Sequence, residues 1–113
     1  MAREYRHPAM ADVQLYDVLA AIADPVRLEL VRELVDGAEH TAGSLAEKVG
    51  VSPPTLTHHL RTMRDAGMVR TRSEGVHRWT SLRIDELEQR FPGLVWWLSA
   101  ALSESDHARQ DQG

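Results

Sequence analysis

Two short helical patterns separated by a brief turn occupy residues 41–67, TAGSLAEKVGVSPPTLTHHLRTMRDAG. Thr41 is placed to cap the first helix and Gly50 to end it, because threonine favours N-caps and glycine favours helix C-termini. The pair Ser52-Pro53 predicts a cap and a first helical residue for a second helix, which Gly67 ends. Two helices joined by a turn of three to four residues that contains glycine are typical of the helix–turn–helix motif.

Two further helices are predicted before this motif. The first has apolar residues at the i, i+3, i+4, i+7 spacing of an amphipathic helix, at Leu15, Val18, Leu19 and Ile22. The second is expected to begin with Asp24 as its N-cap and Pro25 as its first residue, and to end at Asp36-Gly37.

A β-hairpin is predicted directly after the motif. Residues 68–72 and 76–82 are short runs that contain valine, threonine or tryptophan, and Ser73-Glu74-Gly75 separates them. A hairpin in this position is a wing. Helical periodicity returns at Ile84 and is interrupted at Pro92-Gly93.

The expected fold class is mainly α with a small β-hairpin, a dimeric winged helix–turn–helix in the order α-α-α-α-β-β-α. A chain of 113 residues has room for one domain, which we place at residues 11–103. Residues 1–10 are expected to be a flexible arm and residues 104–113 a flexible tail.

Composition excludes several classes of protein. The chain has no cysteine, so disulfides and thiolate metal sites are impossible. The strongly apolar stretch at residues 94–102 is far shorter than the roughly 20 residues of a membrane span. No signal peptide is recognisable. We therefore expect a cytoplasmic protein without a membrane partner.

Charge is segregated along the chain. Residues 53–83 contain six arginines against Asp65 and Glu74, which gives this segment a net charge of +4. The rest of the chain carries −8, and the two sum to the net charge of −4. An acidic body with a basic patch can still bind a polyanion, since the field near the patch governs the encounter. The alternative is an arginine-rich surface that is merely solvated.

The second helix of the motif has a polar face. At 100° per residue, Leu56, Leu60 and Met63 fall on one side with His59 at its edge. The outward candidates for DNA contact are Pro54, Thr57, His58 and Arg61. At the helix N-terminus, whose dipole and free N–H groups suit a phosphate, the candidates are Ser52 and Thr55.

The hairpin supplies a second set of candidates. The wing cations that would meet the DNA backbone or minor groove are Arg70, Arg72, His77 and Arg78. In the alternative interpretation, some of these arginines pair with Glu74 or with acids on the body of the domain.

The last helix is apolar over more than one face, at Leu94, Val95, Trp96, Trp97, Leu98 and Leu102. A lone small domain cannot bury such a helix fully, which favours a dimer interface. An aromatic-lined pocket for an organic effector is the alternative.

The chain resembles the ArsR family of winged-helix repressors from about Tyr16 to Leu82. The resemblance is carried by Ala23-Asp24-Pro25-Val26-Arg27-Leu28, Leu45-Ala46, Val51-Ser52, His59-Leu60 and Ala66-Gly67-Met68-Val69. It implies a homodimer that binds a palindromic operator and holds its first and last helices at the interface. The interface candidates are then Leu15, Val18, Leu19 and Ile22 with Leu94, Val95, Trp97, Leu98 and Leu102. It also marks Pro53, Pro54, Thr57 and His58 as groove-facing, and implies repression relieved by an inducer, often a metal ion.

The chain departs from the metal-sensing members of that family. Where they carry two cysteines, this chain has Thr41-Ala42-Gly43-Ser44-Leu45. Other members use histidines and acids of the last helix, where this chain has Glu104, Asp106 and His107 without a second downstream histidine. A metal site needs about four convergent donors, so we expect no metal and no cofactor. His7, His40 and His107 are expected to be solvated.

Catalysis is not expected, because the chain has no Gly-rich phosphate loop, no His-Glu-x-x-His pattern and no evident carboxylate pair. The expected function is a homodimeric, sequence-specific repressor whose partner is double-stranded DNA and whose inducer is unknown. The alternatives are a winged helix used for protein–protein contact and a zinc- or nickel-responsive repressor.

Overall fold

The computed structural model describes residues 5–112, and the side chains of residues 5–103. Within this part, a 3₁₀ turn at Met10–Asp12 precedes six α-helices and three strands. The helices are α1 (Leu15–Ile22), α2 (Pro25–Leu34), α3 (Ala42–Val49), α4 (Pro53–Asp65), α5 (Ile84–Arg90) and α6 (Leu94–Gln112). The strands are β1 (His40–Thr41), β2 (Val69–Glu74) and β3 (His77–Leu82). Among the described residues, no helix is long and apolar enough to cross a membrane.

Side-chain caps begin α2, α3 and α4 as the sequence predicts. The Asp24 carboxylate accepts hydrogen bonds from the N–H groups of Val26 (2.9 Å) and Arg27 (3.0 Å). These bonds, that from Arg27 above all, stabilise the charged form and lower the pKa of Asp24. Thr41 Oγ1 accepts from the Ser44 N–H at 3.2 Å, and Ser52 Oγ accepts from the Thr55 N–H at 3.4 Å. The predicted starts of these three helices are confirmed.

The wing belongs to a three-stranded antiparallel sheet in the order β1-β3-β2. The predicted hairpin is confirmed, with Val69 opposite Leu82 at one end and Glu74 opposite His77 at the other. Its turn is shorter than predicted, because Glu74 belongs to β2 and only Gly75 and Val76 connect the strands. The sequence missed β1, since two residues are too few to show alternation.

A single core holds α4 in place. Leu56, Leu60 and Met63 of α4 are buried together with Leu30 and Leu34 of α2, and with further side chains of α3, α5 and the sheet. The most deeply buried large residues of these other elements are Leu45, Met68, Val69, Thr80 and Leu87. Burial of one face of α4 leaves its opposite face at the surface.

The N-terminal segment is packed on the domain, so the prediction of a flexible arm at residues 1–10 is wrong for residues 5–10. His7 Nε2 accepts a hydrogen bond from Thr71 N–H at 3.0 Å, and the Pro8 carbonyl accepts from Arg83 at 2.9 Å. The Arg64 guanidinium lies 4.7 Å from the centre of the Tyr5 ring. The sequence showed no periodicity here because these contacts are made to distant residues, whereas residues 1–4 lie outside the described part.

The C-terminal region also differs from the prediction. Helical structure after the wing is divided into α5 and α6, and the described order is α-α-β-α-α-β-β-α-α. The break at Pro92-Gly93 is confirmed, and Glu88 accepts hydrogen bonds there from Gly93 N–H (3.0 Å) and Val95 N–H (2.8 Å). Helix α6 continues through Gln112, beyond the predicted domain end at residue 103. Gly113 lies outside the described residues.

Gly67 offers a stability test, because it has a φ of +88° and an added Cβ there would overlap the Val13 side chain. We expect Gly67→Ala to lower the free energy of unfolding by about 2–4 kcal/mol, from left-handed strain and overpacking. Gly43→Ala is the matched control, since no atom lies within 4 Å of the place its methyl group would take. We expect it to raise stability by up to about 1 kcal/mol through helix propensity. Urea denaturation measures both, and equal midpoints would contradict the packing described here.

Candidate nucleic-acid interface

Helix α4 presents a polar face to solvent. Pro54, Thr57, His58 and Arg61 are exposed, whereas Leu56, Leu60 and Met63 are buried. The predicted division of the helix into a core side and an outward side is therefore confirmed. Arg61 has no ion-pair or hydrogen-bond partner among the described residues, so its guanidinium is available to an incoming ligand.

The start of α4 is exposed but offers few backbone donors. Pro53 and Pro54 have no N–H group, and the first available amide, that of Thr55, already donates to Ser52 Oγ. Ser52 in turn donates its hydroxyl to Thr55 Oγ1 at 3.0 Å, which leaves the Thr55 hydroxyl proton as the outward donor. The prediction that free N–H groups would hold a phosphate here is wrong. A phosphate contact at this end depends on the hydroxyls and the helix dipole.

A partly buried hydrogen bond links α4 to α2. Arg27 donates to Nδ1 of His59 at 3.1 Å, and Asp24 caps the helix that carries Arg27. Burial lowers the pKa of His59, while the nearby Asp24 charge raises it and the Arg27 charge lowers it. Nδ1 is the acceptor in this bond, because a guanidinium can only donate. The prediction that one histidine of the His58-His59 pair packs while the other faces outward is confirmed for burial, with His59 inside and His58 exposed.

The hairpin register places the wing cations on opposite faces. Cross-strand partners share a face, and Ser73 pairs with Arg78 whereas Arg72 pairs with Trp79. Arg78 is on the side that faces α4, where it donates to Thr57 Oγ1 at 3.4 Å. His77 lies exposed beside the turn.

Arg70 and Arg72 are held by acids on the other face of the hairpin. Arg72 pairs with Glu39 (2.6 and 2.9 Å) and with Glu74 (2.6 Å), and these bonds raise the pKa of its guanidinium. Arg70 pairs with Glu86 at 2.6 Å. Hydrogen bonds from Arg83, with a further contribution from Arg70, lower the pKa of Glu86 to about 2.

The placement of Arg70 and Arg72 corrects the predicted set of wing contacts. The alternative interpretation, in which wing arginines pair with acids of the protein itself, describes these two residues. Arg78, by contrast, lies beside α4. The sequence could not separate the two groups, because their faces depend on register and on acids far away in the chain.

Two arginines that the sequence did not single out lie on the α4 side. Arg6 and Arg64 line the same cleft between α4 and the sheet as Arg61 and Arg78. Arg6 reaches this position only because the N-terminal segment packs back onto the domain, so sequence patterns carried no signal for it.

The predicted interface residues divide into two groups. Val18, Val95, Leu98 and Leu102 are buried within the protomer's own core, so they have almost no surface to offer a partner, and their assignment is corrected. Ile22 and Leu94 are half-buried against that core. The predicted residues Leu15 and Leu19 of α1 remain exposed. Their neighbour Tyr16, which was not predicted, is exposed as well.

The tryptophans of α6 are also at the surface. Trp97, a predicted interface residue, is 60% exposed, and its neighbour Trp96 is 72% exposed. Rings this open to solvent do not line an enclosed pocket. In this protomer, Trp96 and Trp97 therefore do not form the aromatic effector pocket of the alternative interpretation.

No three side chains among histidines and acids of residues 5–103 lie close enough together to hold a metal ion. His7 and His40 are half-buried and hydrogen-bonded, the second to Asp36 at 3.0 Å, so the prediction that they are solvated is wrong. Burial, with the nearby Arg83, lowers the pKa of His7. Glu104, Asp106 and His107 lie outside the residues whose side chains are described.

Known proteins resemble the chain over this same region. A family model described as a helix-turn-helix domain matches residues 22–72. The HTH-type transcriptional regulator YceK of Bacillus subtilis is 33% identical over 79 residues, which cover 69% of this chain and 79% of that protein. The arsenical resistance operon repressor of Staphylococcus aureus is 34% identical over 65% of this chain and 69% of its own length.

A solved structure agrees with these sequence matches. NolR from Sinorhizobium fredii superposes with a TM-score of 0.61 and 32% identity, over 79% of this chain and 80% of that one. The family-model match contains the helix–turn–helix and ends within β2. The chain therefore belongs to the ArsR family of winged helix–turn–helix transcriptional repressors, which are DNA-binding proteins.

Proposed function

We propose that the protein represses transcription as a homodimer that binds a palindromic operator, with α4 of each protomer in a major groove. The observation that supports this most directly is the orientation of α4, whose apolar face is buried and whose face of Thr57, His58 and Arg61 is exposed. A helix with this division can enter the groove without exposing the core. Operator binding assigns the protein to the cytoplasm, and the proposal includes neither a cofactor nor catalysis.

The contacts follow from the chemistry of each side chain. Arg61 is suited to a bidentate contact with guanine, and Thr57 and His58 to base edges beside it. Pro53 and Pro54 bring the helix start close to the backbone, where the Ser52 and Thr55 hydroxyls meet a phosphate. Arg78 reaches the backbone or minor groove from the α4 face of the wing, whereas His77, which pairs with Glu74, lies at the tip on the face of Arg72.

The dimer rests on the exposed apolar surface of α1 and α6, which consists of Leu15, Tyr16 and Leu19 with Trp96 and Trp97. Large aromatic side chains are favoured in the centre of protein interfaces. Full burial of one such side chain contributes about 2–3 kcal/mol. A dimer places the two α4 helices about 34–36 Å apart, one helical turn of DNA, if the operator is read in successive major grooves.

A DNA-binding titration against the promoter of the protein's own gene tests the proposal, at two salt concentrations and with and without zinc or nickel. We expect tight binding that weakens steeply with salt, through counterion release. Release by metal would instead support a metal-responsive repressor with ligands near His107. No binding at low salt would contradict the proposal and favour a protein-docking role.

Arginine substitutions test the proposed contact face. We expect Arg61→Ala to weaken operator binding by about 1–3 kcal/mol and to relax base preference at one position. Arg78→Ala should reduce the slope of log affinity against log salt by about one, as for a lost phosphate contact. Fluorescence anisotropy with a labelled operator measures both effects.

Arg72→Ala is the matched control, because Arg72 lies on the same hairpin but pairs with Glu39 and Glu74 on the other face. Its operator affinity should stay within about threefold of the original, in line with the small worth of exposed ion pairs. A loss equal to that of Arg78→Ala would show that the face assignment of the wing arginines is wrong.

Charge placed in the apolar patch tests the dimer. We expect Trp97→Glu, and separately Leu19→Glu, to produce monomers, because an unpaired buried carboxylate is strongly disfavoured. Both positions are exposed in the protomer, so the fold should survive. Gly43→Glu adds the same charge on the exposed start of α3 and should leave the dimer intact. Light scattering, with circular dichroism for folding, gives the result, and dimeric Trp97→Glu and Leu19→Glu proteins would exclude this interface.

A further inference from the structure

A cleft of about 450 Å³ lies between α4, the inner face of the sheet and the N-terminal segment. We call it the arginine cleft, because Arg6, Arg61, Arg64 and Arg78 line it. Asp65 is the only acid among the described lining residues. Its volume lies within the range of about 300–1,000 Å³ that is usual for small-molecule sites and exceeds that of a single phosphate group.

Two threonines with unsatisfied hydroxyls lie at the floor of the arginine cleft. Thr71 and Thr80 are directly opposite each other on β2 and β3 and are only 5% and 0% exposed. Neither Oγ1 atom has a hydrogen-bond partner in the described structure. A buried polar atom without a partner costs about 1–3 kcal/mol, so such atoms normally meet a ligand or water. Two adjacent ones at the floor of a charged cleft indicate a polar occupant.

Three guanidiniums of the cleft differ in their ion pairing from arginines that lie outside it. Arg70, Arg72 and Arg83 all pair with glutamates. By contrast, Arg6 and Arg61 have no ion-pair partner among the described residues, and Arg78 has only the hydroxyl contact to Thr57. Guanidinium groups bind carboxylate and phosphate through two parallel hydrogen bonds. The cleft therefore has the chemistry of an oxyanion site that ends in two hydroxyls.

We propose that the arginine cleft binds a small organic anion that carries a carboxylate or phosphate group and a hydrogen-bonding body. The oxyanion lies on Arg61 and Arg78, with Arg6 closing the cleft, and the body reaches Thr71 and Thr80. An operator phosphate would meet the arginines at the mouth but is attached to a duplex too bulky to reach the floor. The two buried hydroxyls thus favour a free anion over the DNA backbone as the occupant.

An anion bound in the arginine cleft would act as an inducer of transcription. This step rests on the proposed function, because Arg61 and Arg78 are also assigned to operator contacts. An anion that occupies both guanidiniums competes with DNA for them and releases the operator. The coupling is reciprocal, so operator binding must weaken anion binding by the same factor.

The first experiment measures anion binding without DNA. Inorganic phosphate, citrate and O-phosphoserine are titrated into the full chain against sodium chloride of equal ionic strength, with thermal unfolding and calorimetry as readouts. At least one of the three should raise the melting temperature beyond the chloride control, since a ligand that binds only the native state stabilises it. The double variant Thr71→Val/Thr80→Val keeps side-chain volume and removes both hydroxyls, and should bind that anion about tenfold more weakly. If none of the three binds, or if the variant binds equally well, the proposal is overturned.

The second experiment adds operator DNA at constant ionic strength. The anion that binds best should release DNA from the original protein, whereas the double variant should bind DNA normally and require about tenfold more anion for release. If the double variant itself loses operator affinity, the cleft holds a DNA phosphate and the inducer proposal is overturned. Failure of the original protein to bind any operator would contradict the proposed function instead, and the DNA-free titration would still stand as a separate result.

Discussion

Burial of one face of α4 is the constraint on which the rest of the molecule depends. Leu56, Leu60 and Met63 are inserted among α2, α3 and the sheet, and their burial leaves α4 a single orientation. The Arg27–His59 hydrogen bond adds a directional contact to this apolar packing. Because the side chains of a helix project at fixed angles, the orientation that buries these residues also presents Thr57, His58 and Arg61 to solvent. The proposed DNA-contact face of α4 is thus a consequence of packing in the core.

Charge on the sheet is sorted by the alternation of β-strand side chains. Arg70 and Arg72 project to one face, where Glu86, Glu39 and Glu74 neutralise them. Arg78 projects to the other face beside Thr57. Net charge is −4, yet on the α4 side Arg61 and Arg78 have no acidic partner among the described residues. The electrostatic field that a polyanion meets is therefore set by which arginines have acidic partners rather than by the net charge.

The N-terminal segment packs against the domain and reaches the arginine cleft beside α4. It is held by the bonds of His7 to β2 and of Pro8 to Arg83, and it brings Arg6 to the mouth of the arginine cleft. If the cleft takes an anion and α4 takes an operator, the same guanidiniums serve both. Competition for one set of cations would couple the sites without any change of fold.

Local patterns in the sequence determined much of this protein. The caps at Asp24, Thr41 and Ser52, the glycine stops at Gly50 and Gly67, the hairpin and the buried stripe of α4 all depend on near neighbours. Each was predicted correctly, apart from the length of the hairpin turn. The resemblance to the ArsR family also came from short motifs of neighbouring residues, taken in their order along the chain. Only the tertiary structure decided that Val18, Val95, Leu98 and Leu102 belong to the core, that Arg72 meets Glu39, and that Arg6 joins Arg78. Apolar periodicity marks a buried face but not what buries it, and ion pairs between residues far apart in the chain exist only once the chain has folded.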